Sequence, residues 1–174
     1  MKKTEHIFEE TQREAIINRP HNLFGSVKPI KKERFCVTEN SIEYKESTTV
    51  PALIKIFMEA IDNPIDVAIK HNLTNMTISI KVDDESIEVS DDGTGIPNVK
   101  CADLDEYLIF KAFCKYNTSS NYNEFKNQGQ KGTNGIGIKG SNTLSTEFIG
   151  ISDDGKSKVT VIATENNLHH QIKE

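Results

Sequence analysis

The chain has 174 residues, of which 36% are hydrophobic and 27% charged, and its formal net charge is −5. That length suits one domain with a buried core and leaves no room for a second full one, and the composition is too apolar for a wholly disordered chain. The acidic balance excludes a chain that by itself neutralises many backbone phosphates of a nucleic acid.

Cys36, Cys101 and Cys114 stand far apart with no CxxC pair. An odd number of scattered cysteines argues against a disulfide framework and for a reducing cytosol. No apolar run approaches the ~18 residues of a membrane span. The Met-Lys-Lys-Thr start leads into acidic residues and not into an apolar signal segment. A cytoplasmic chain with no membrane partner is the expectation.

In chain order, residues 4–19 mix Ile7, Phe8, Ala15, Ile16 and Ile17 with Glu and Arg and then meet Pro20, which predicts a short helix ending before the proline. Residues 33–47 read as a hairpin. From Val50 to Lys70 the residues Leu53, Ile54, Phe57, Ile61, Ile65 and Ala68 recur at a period near 3.6, with Pro51 in the first turn, and predict the longest helix. Pro64 removes one helical hydrogen bond and is placed to bend that helix just after Asn63. The alternating runs Met76-Thr-Ile-Ser-Ile-Lys-Val and Ser86-Ile-Glu-Val-Ser flank Asp83-Asp84-Glu85 and predict antiparallel strands. Residues 104–115 look helical. Residues 117–131 are polar and without periodicity, which predicts a long loop of the kind that is usually functional. A second hairpin is predicted around Asp153-Asp154-Gly155, between Thr146-Glu-Phe-Ile-Gly-Ile-Ser and Lys158-Val-Thr-Val-Ile-Ala-Thr. There is no internal repeat and no interdomain linker.

Three clusters carry the chemistry. The long helix holds Glu59, Asn63 and Asp66, whose spacings of four and three put them along one face. Taken alone, such a trio is more often a solvated helix face. The second cluster, Asp91-Asp92-Gly93-Thr94-Gly95-Ile96-Pro97, directly follows a strand. Two glycines flanking one residue let the backbone turn sharply beside a flat ligand, and a neighbouring carboxylate can accept a hydrogen bond from an amine. A plain surface turn explains that motif about as well.

The third cluster runs from Gly129 to Gly140 and holds five of the ten glycines. Amides free of side chains can point at phosphate oxygens, helped by the dipole of a following helix. Gly135-x-Gly137-x-x-Gly140 matches a dinucleotide fingerprint, but it follows a polar loop where that fingerprint needs a strand. Gly132-x-x-x-x-Gly137 starts like a P-loop, yet Lys139 falls one residue late and no Ser or Thr follows it directly.

The order of the three is specific: Glu-x-x-x-Asn on a helix, Asp-x-Gly-x-Gly after a strand, then a loop ending in Gly-x-x-Gly-x-Gly-x-Lys. In this order the chain resembles the ATPase region of type IIA DNA topoisomerases, within the superfamily of gyrase, Hsp90, histidine kinases and MutL. Arg19-Pro20-x-x-x-x-Gly25-Ser26 is similar to that family's leading Arg-Pro-x-x-Tyr-Ile-Gly-Ser segment, Thr118-Ser119-Ser120-Asn121-Tyr122 to the eukaryotic lid, and Asn142-Thr-Leu-Ser145-Thr-Glu-Phe-Ile to the segment after the glycine loop. The similarity runs from about Arg19 to about Ile151.

The resemblance implies an α/β two-layer sandwich, with helices on one face of a mixed, mainly antiparallel sheet of the Bergerat type. ATP and Mg²⁺ would sit between the helices and a lid at 117–131. Glu59 corresponds to the general base that activates the attacking water. Asn63 corresponds to the Mg²⁺ ligand, and its neighbour Asp66 falls in the nucleotide site. Asp91 corresponds to the acceptor of the adenine amino hydrogen, with Gly93, Gly95 and Ile96 lining the base. Ser119, Ser120 and Asn121 correspond to ribose and phosphate contacts. Gly132, Asn134, Gly135, Ile136, Gly137 and Lys139 correspond to the phosphate cradle.

The implied partners are a second copy, joined through ATP, and DNA-cleaving topoisomerase domains that hold the duplex; the implied activity is strand passage by the whole complex. Several positions depart from the family pattern. Leu23 and Phe24 replace Tyr-Ile, Thr94 replaces a basic residue and Val67 an acidic one. The family's third motif, a Gly-Thr strand, and the later lysine to the γ-phosphate do not occur before Glu174. Residues 1–174 are therefore expected to be a single ATP-binding domain, the N-terminal fragment of a longer subunit, with little turnover of its own. A split product, a non-catalytic nucleotide-binding or regulatory module, and a MutL- or Hsp90-like ATPase are the alternatives. The pairing of a bacterial-style Asp91 with a eukaryote-like lid suggests a phage source.

Overall fold

The computed structural model describes residues 9–101, 105–118 and 135–174. The predicted loop at 117–131, with Ser119, Ser120 and Asn121, lies outside them except for Asn117 and Thr118, as do Gly132 and Asn134.

Helix α1 (Gln12–Asn18) starts at a capping box: Glu14 N–H donates to Thr11 Oγ1 at 3.2 Å while Thr11 N–H donates to Glu14 Oε2 at 2.8 Å. The Thr11 N–H and hydroxyl, both donating to the Glu14 carboxyl, hold it below its ordinary range. It ends before Pro20, as the sequence predicts. Strands β1 (Ile30–Val37) and β2 (Ile42–Thr49) form an antiparallel hairpin that turns Phe35, Val37, Ile42 and Tyr44 outward. Helix α2 (Pro51–His71) opens with Pro51 at its first position. It closes on Asn72 at φ 51, whose neighbour Leu73 returns an N–H to the Ala68 carbonyl at 2.9 Å. Pro64 does not end it. The helix runs on to His71 with Pro64 buried inside it.

Strands β3 (Ile78–Val82) and β4 (Ile87–Asp91) pair antiparallel and bring Asp91 to the end of a strand beside α2. Helices α3 (Leu108–Cys114) and α4 (Gly137–Thr143) follow, and then β5 (Glu147–Asp153), β6 (Lys158–Thr164) and β7 (His169–Lys173) form a meander in that order. Strand β7 was not predicted: all five of its residues are exposed, so it carries no alternating pattern.

Helices and sheets form the expected α/β arrangement. Every pairing among the described residues is antiparallel, and the strands fall into three separate sheets instead of one mixed sheet. Two apolar clusters hold the helices. Ile109, Phe110 and Cys114 of α3 pack on Val159, Val161 and Ala163, the inward-facing alternate residues of β6. Ile16, Phe24 and Ala52 form the second cluster, with Ile56, Tyr116, Ile136 and Leu144 around it. Burying a side chain of this size contributes about 1.5–3 kcal/mol.

Helix α4 lies against α1, α2 and α3. Gly140 gives it that close approach: a Cβ there would stand 1.9 Å from the tip of the Phe24 ring. The departure at Phe24 is thus accommodated by a glycine on the facing helix.

Candidate active site

Glu59 and Asn63 leave α2 one turn apart, and Asp66 follows on the same face. Glu59 is mostly buried, with 20% of its side chain exposed, and Lys55, one turn earlier, pairs with its Oε1. Its other oxygen, Oε2, lies against Gly137 at the start of α4, so close that a Cβ on Gly137 would stand 1.9 Å from it. The structure therefore joins the first and third clusters through a glycine that has no room for a side chain. Asn63 is exposed and Asp66 half-buried.

Asp91 is exposed at the end of β4, and its Oδ1 accepts the Gly93 N–H at 3.0 Å, closing the turn on itself. Asp92 Oδ1 accepts the Thr77 N–H at 2.6 Å and ties that turn to the start of the hairpin. Gly95 has φ +67, and a Cβ on it would meet the Asp153 carbonyl oxygen at 2.3 Å. The left-handed backbone and the close approach both require glycine here.

The following segment is bolted to the β5–β6 hairpin. Ser152 Oγ accepts from Ile96 N–H at 2.7 Å and donates to Ile96 O at 2.9 Å, and Asn98 Nδ2 donates to the Ser157 carbonyl at 2.6 Å. Asp154 accepts from Asn98, Lys156 and Ser157 amides, which hold its carboxyl below its ordinary range. Ser152, Asn98 and Asp154 went unnoticed in the sequence. The Asp-Asp-Gly turn signal marked the hairpin but not what docks on it.

The glycine cluster is described from Gly135, at φ +61. Ile136 caps α4 and packs into the second apolar cluster, and Gly137 is the first helical residue. Lys139 is 3% exposed, and its ammonium donates to the Gly135 carbonyl at 2.8 Å and to the Thr118 carbonyl. Burial pushes its pKa down to about 8. The lysine expected in a phosphate cradle is thus turned onto two backbone carbonyls, one on each side of residues 119–134.

The described residues contain no cluster of three His, Cys, Asp or Glu side chains able to hold a metal by themselves. A single amide oxygen at Asn63 fits a hard ion that takes most of its ligands from water and phosphate, as Mg²⁺ does. No described helix is long and apolar enough to cross a membrane.

Residues 49–167 match the family model described as histidine kinase-, DNA gyrase B- and HSP90-like ATPase. DNA topoisomerase 2 of Candida albicans is 34% identical over 167 residues, covering 94% of this chain and 11% of the relative. DNA topoisomerase 2-beta of Homo sapiens is 36% identical over 143 residues, covering 80% and 9%. The chain therefore spans about a tenth of the length of the curated relatives it matches. Among solved structures, the ATPase region of Saccharomyces cerevisiae topoisomerase II superposes with a TM-score of 0.85 at 29% identity, covering 97% of this chain and 47% of that one. The ATPase and transducer domains of Balamuthia mandrillaris topoisomerase II superpose with a TM-score of 0.87 at 28% identity, covering 98% and 46%.

Proposed function

Because the chain belongs to the histidine kinase-, DNA gyrase B- and HSP90-like ATPase family, we propose that it is the ATP-binding part of a type II DNA topoisomerase and supplies the general base for hydrolysis. The observation that carries this reading is the contact of Glu59 with Gly137, which sets a helix-mounted carboxylate beside the glycine turn at the head of α4. A carboxylate there is placed to accept a proton from water attacking a phosphoryl group held by the α4 amides.

In this reading Asp91 accepts from the adenine amino group, and Gly93, Gly95 and Ile96 form the wall against the base. Gly132, Asn134, Gly135, Ile136 and Gly137 offer backbone to the phosphates, and Ser119, Ser120 and Asn121 reach the ribose and phosphates. Lys139 exchanges its carbonyl partners for phosphate oxygens. Asn63, near Asp66, would hold Mg²⁺, whose chemistry would be to neutralise phosphate charge. The 174 residues act as one nucleotide-binding unit, dimerise through bound ATP, and work within a cytoplasmic complex whose other domains cleave DNA and pass one duplex through another. A phage source is part of the same proposal.

ATP or a non-hydrolysable analogue should bind with Mg²⁺, and Asp91→Asn should weaken it by roughly 1–3 kcal/mol, the scale of a mismatched buried hydrogen bond. Calorimetry is the check. Equal affinity in parent and variant would remove Asp91 from the adenine site.

A further inference from the structure

Asn167 lies in the turn between β6 and β7, outside the three clusters, and is 5% exposed. Its side-chain amide is saturated. Nδ2 donates to the Cys114 carbonyl at 3.0 Å and to the Tyr116 hydroxyl at 3.1 Å, and Oδ1 accepts from Asn142 Nδ2 at 3.0 Å and from His170 Nε2 at 2.8 Å. A primary amide offers two donors and two lone pairs, so one residue joins the end of α3, the segment after it, α4 and β7. Asn142 leaves its own Oδ1 unpaired in the interior while its Nδ2 serves Asn167.

Thr143 Oγ1 has a single proton, which it gives to the Lys139 carbonyl at 2.6 Å, so the Tyr116 hydroxyl donates to Thr143 Oγ1 while accepting from Asn167. The turn itself is held from outside: Arg13 donates to the Asn166 and Glu165 carbonyls at 2.7 and 2.8 Å, and Asn166 Nδ2 donates to the Thr143 carbonyl at 2.9 Å. Residues 165–167 carry φ values of 51, 60 and 64, a left-handed run that persists where the surroundings over-determine it.

Helix α4 needs such support. Its sequence Gly-Ile-Lys-Gly-Ser-Asn-Thr is a poor helix former, it spans seven residues, and no side chain caps its N-terminus. We infer that Asn167, acting through Tyr116 and Thr143, is a positioning residue that fixes α4 and the Lys139 backbone for phosphate binding. This rests on the nucleotide reading above.

Tyr116→Phe keeps the ring and removes only the hydroxyl, and Thr143→Val cuts the same path one step nearer Lys139. In the 174-residue chain, each should raise amide hydrogen exchange across α4 about tenfold over β5 and β6. Each should also weaken ATP binding about tenfold while leaving adenosine binding unchanged, the size of one lost neutral hydrogen bond. Thr143→Ser, which restores the hydroxyl, should recover both. Equal losses for ATP and adenosine, exchange that rises evenly through the chain, or no change at all would overturn the inference. If the parent bound neither ATP nor adenosine, the nucleotide reading would be what failed, and exchange in α4 with the Thr143→Ser rescue would still decide whether the path from Asn167 through Tyr116 and Thr143 holds α4.

Discussion

Glu59→Gln is expected to leave nucleotide affinity nearly unchanged and to lower ATP turnover by ~10²–10⁴, the range for losing a general base. The amide keeps the shape that lies against Gly137 and removes the basicity. It also breaks the pair with Lys55, whose side chain is 46% exposed; a partly exposed pair of this kind contributes about 0–1 kcal/mol, so the variant should still fold. The assay compares steady-state ATP hydrolysis by parent and variant in the same protein, so that the other groups stabilising the transition state are held constant. Parental turnover in the variant would make Glu59 a structural residue.

Gly137→Ala should be as damaging by a different route. The new methyl would stand 1.9 Å from Glu59 Oε2 and 2.8 Å from its Cδ, so either the carboxylate or the head of α4 must move. A displacement near 1 Å at a reacting centre can cost ~10²-fold in rate. Unlike Glu59→Gln, this substitution disturbs the backbone proposed to face the phosphates, so affinity should fall too. The double variant Gly137→Ala/Glu59→Ala separates the two effects: removing the carboxylate makes room for the methyl, so nucleotide affinity should recover while turnover stays lost. Calorimetry and steady-state hydrolysis on the single and double variants read this. Additive losses of affinity would mean that Glu59 and Gly137 do not share the contact that the structure shows.

The elements most legible in the sequence are those whose burial is periodic. Leu53 to Ala68 gave α2 its length, and the alternation of Val159, Val161 and Ala163 gave β6 its inward face. Strand β7 was missed because His169, His170 and Gln171 carry no alternation. The sequence spacing of Glu59, Asn63 and Asp66 placed them on one helix face, but nothing in it could show that Glu59 meets Gly137, a contact between residues far apart in the chain. Nor could it show Lys139 turned inward, since a glycine-flanked lysine reads as a phosphate ligand until its burial is known. The substitution at Phe24 looked like a departure from the family. With Gly140 facing it, it is a repacked contact.

In the proposed reading, ATP binds between α2 and α4, with its base against the turn after β4. The most direct measurement is a titration of the ¹⁵N-labelled 174-residue chain with Mg²⁺ and a non-hydrolysable ATP analogue, followed by amide chemical shifts. The largest shifts should fall at Asp91 to Ile96, at Gly135 to Lys139 and on α2 around Glu59 and Asn63, with the β1–β2 hairpin unaffected. Shifts confined to surfaces away from those residues, or none at saturating analogue, would contradict it.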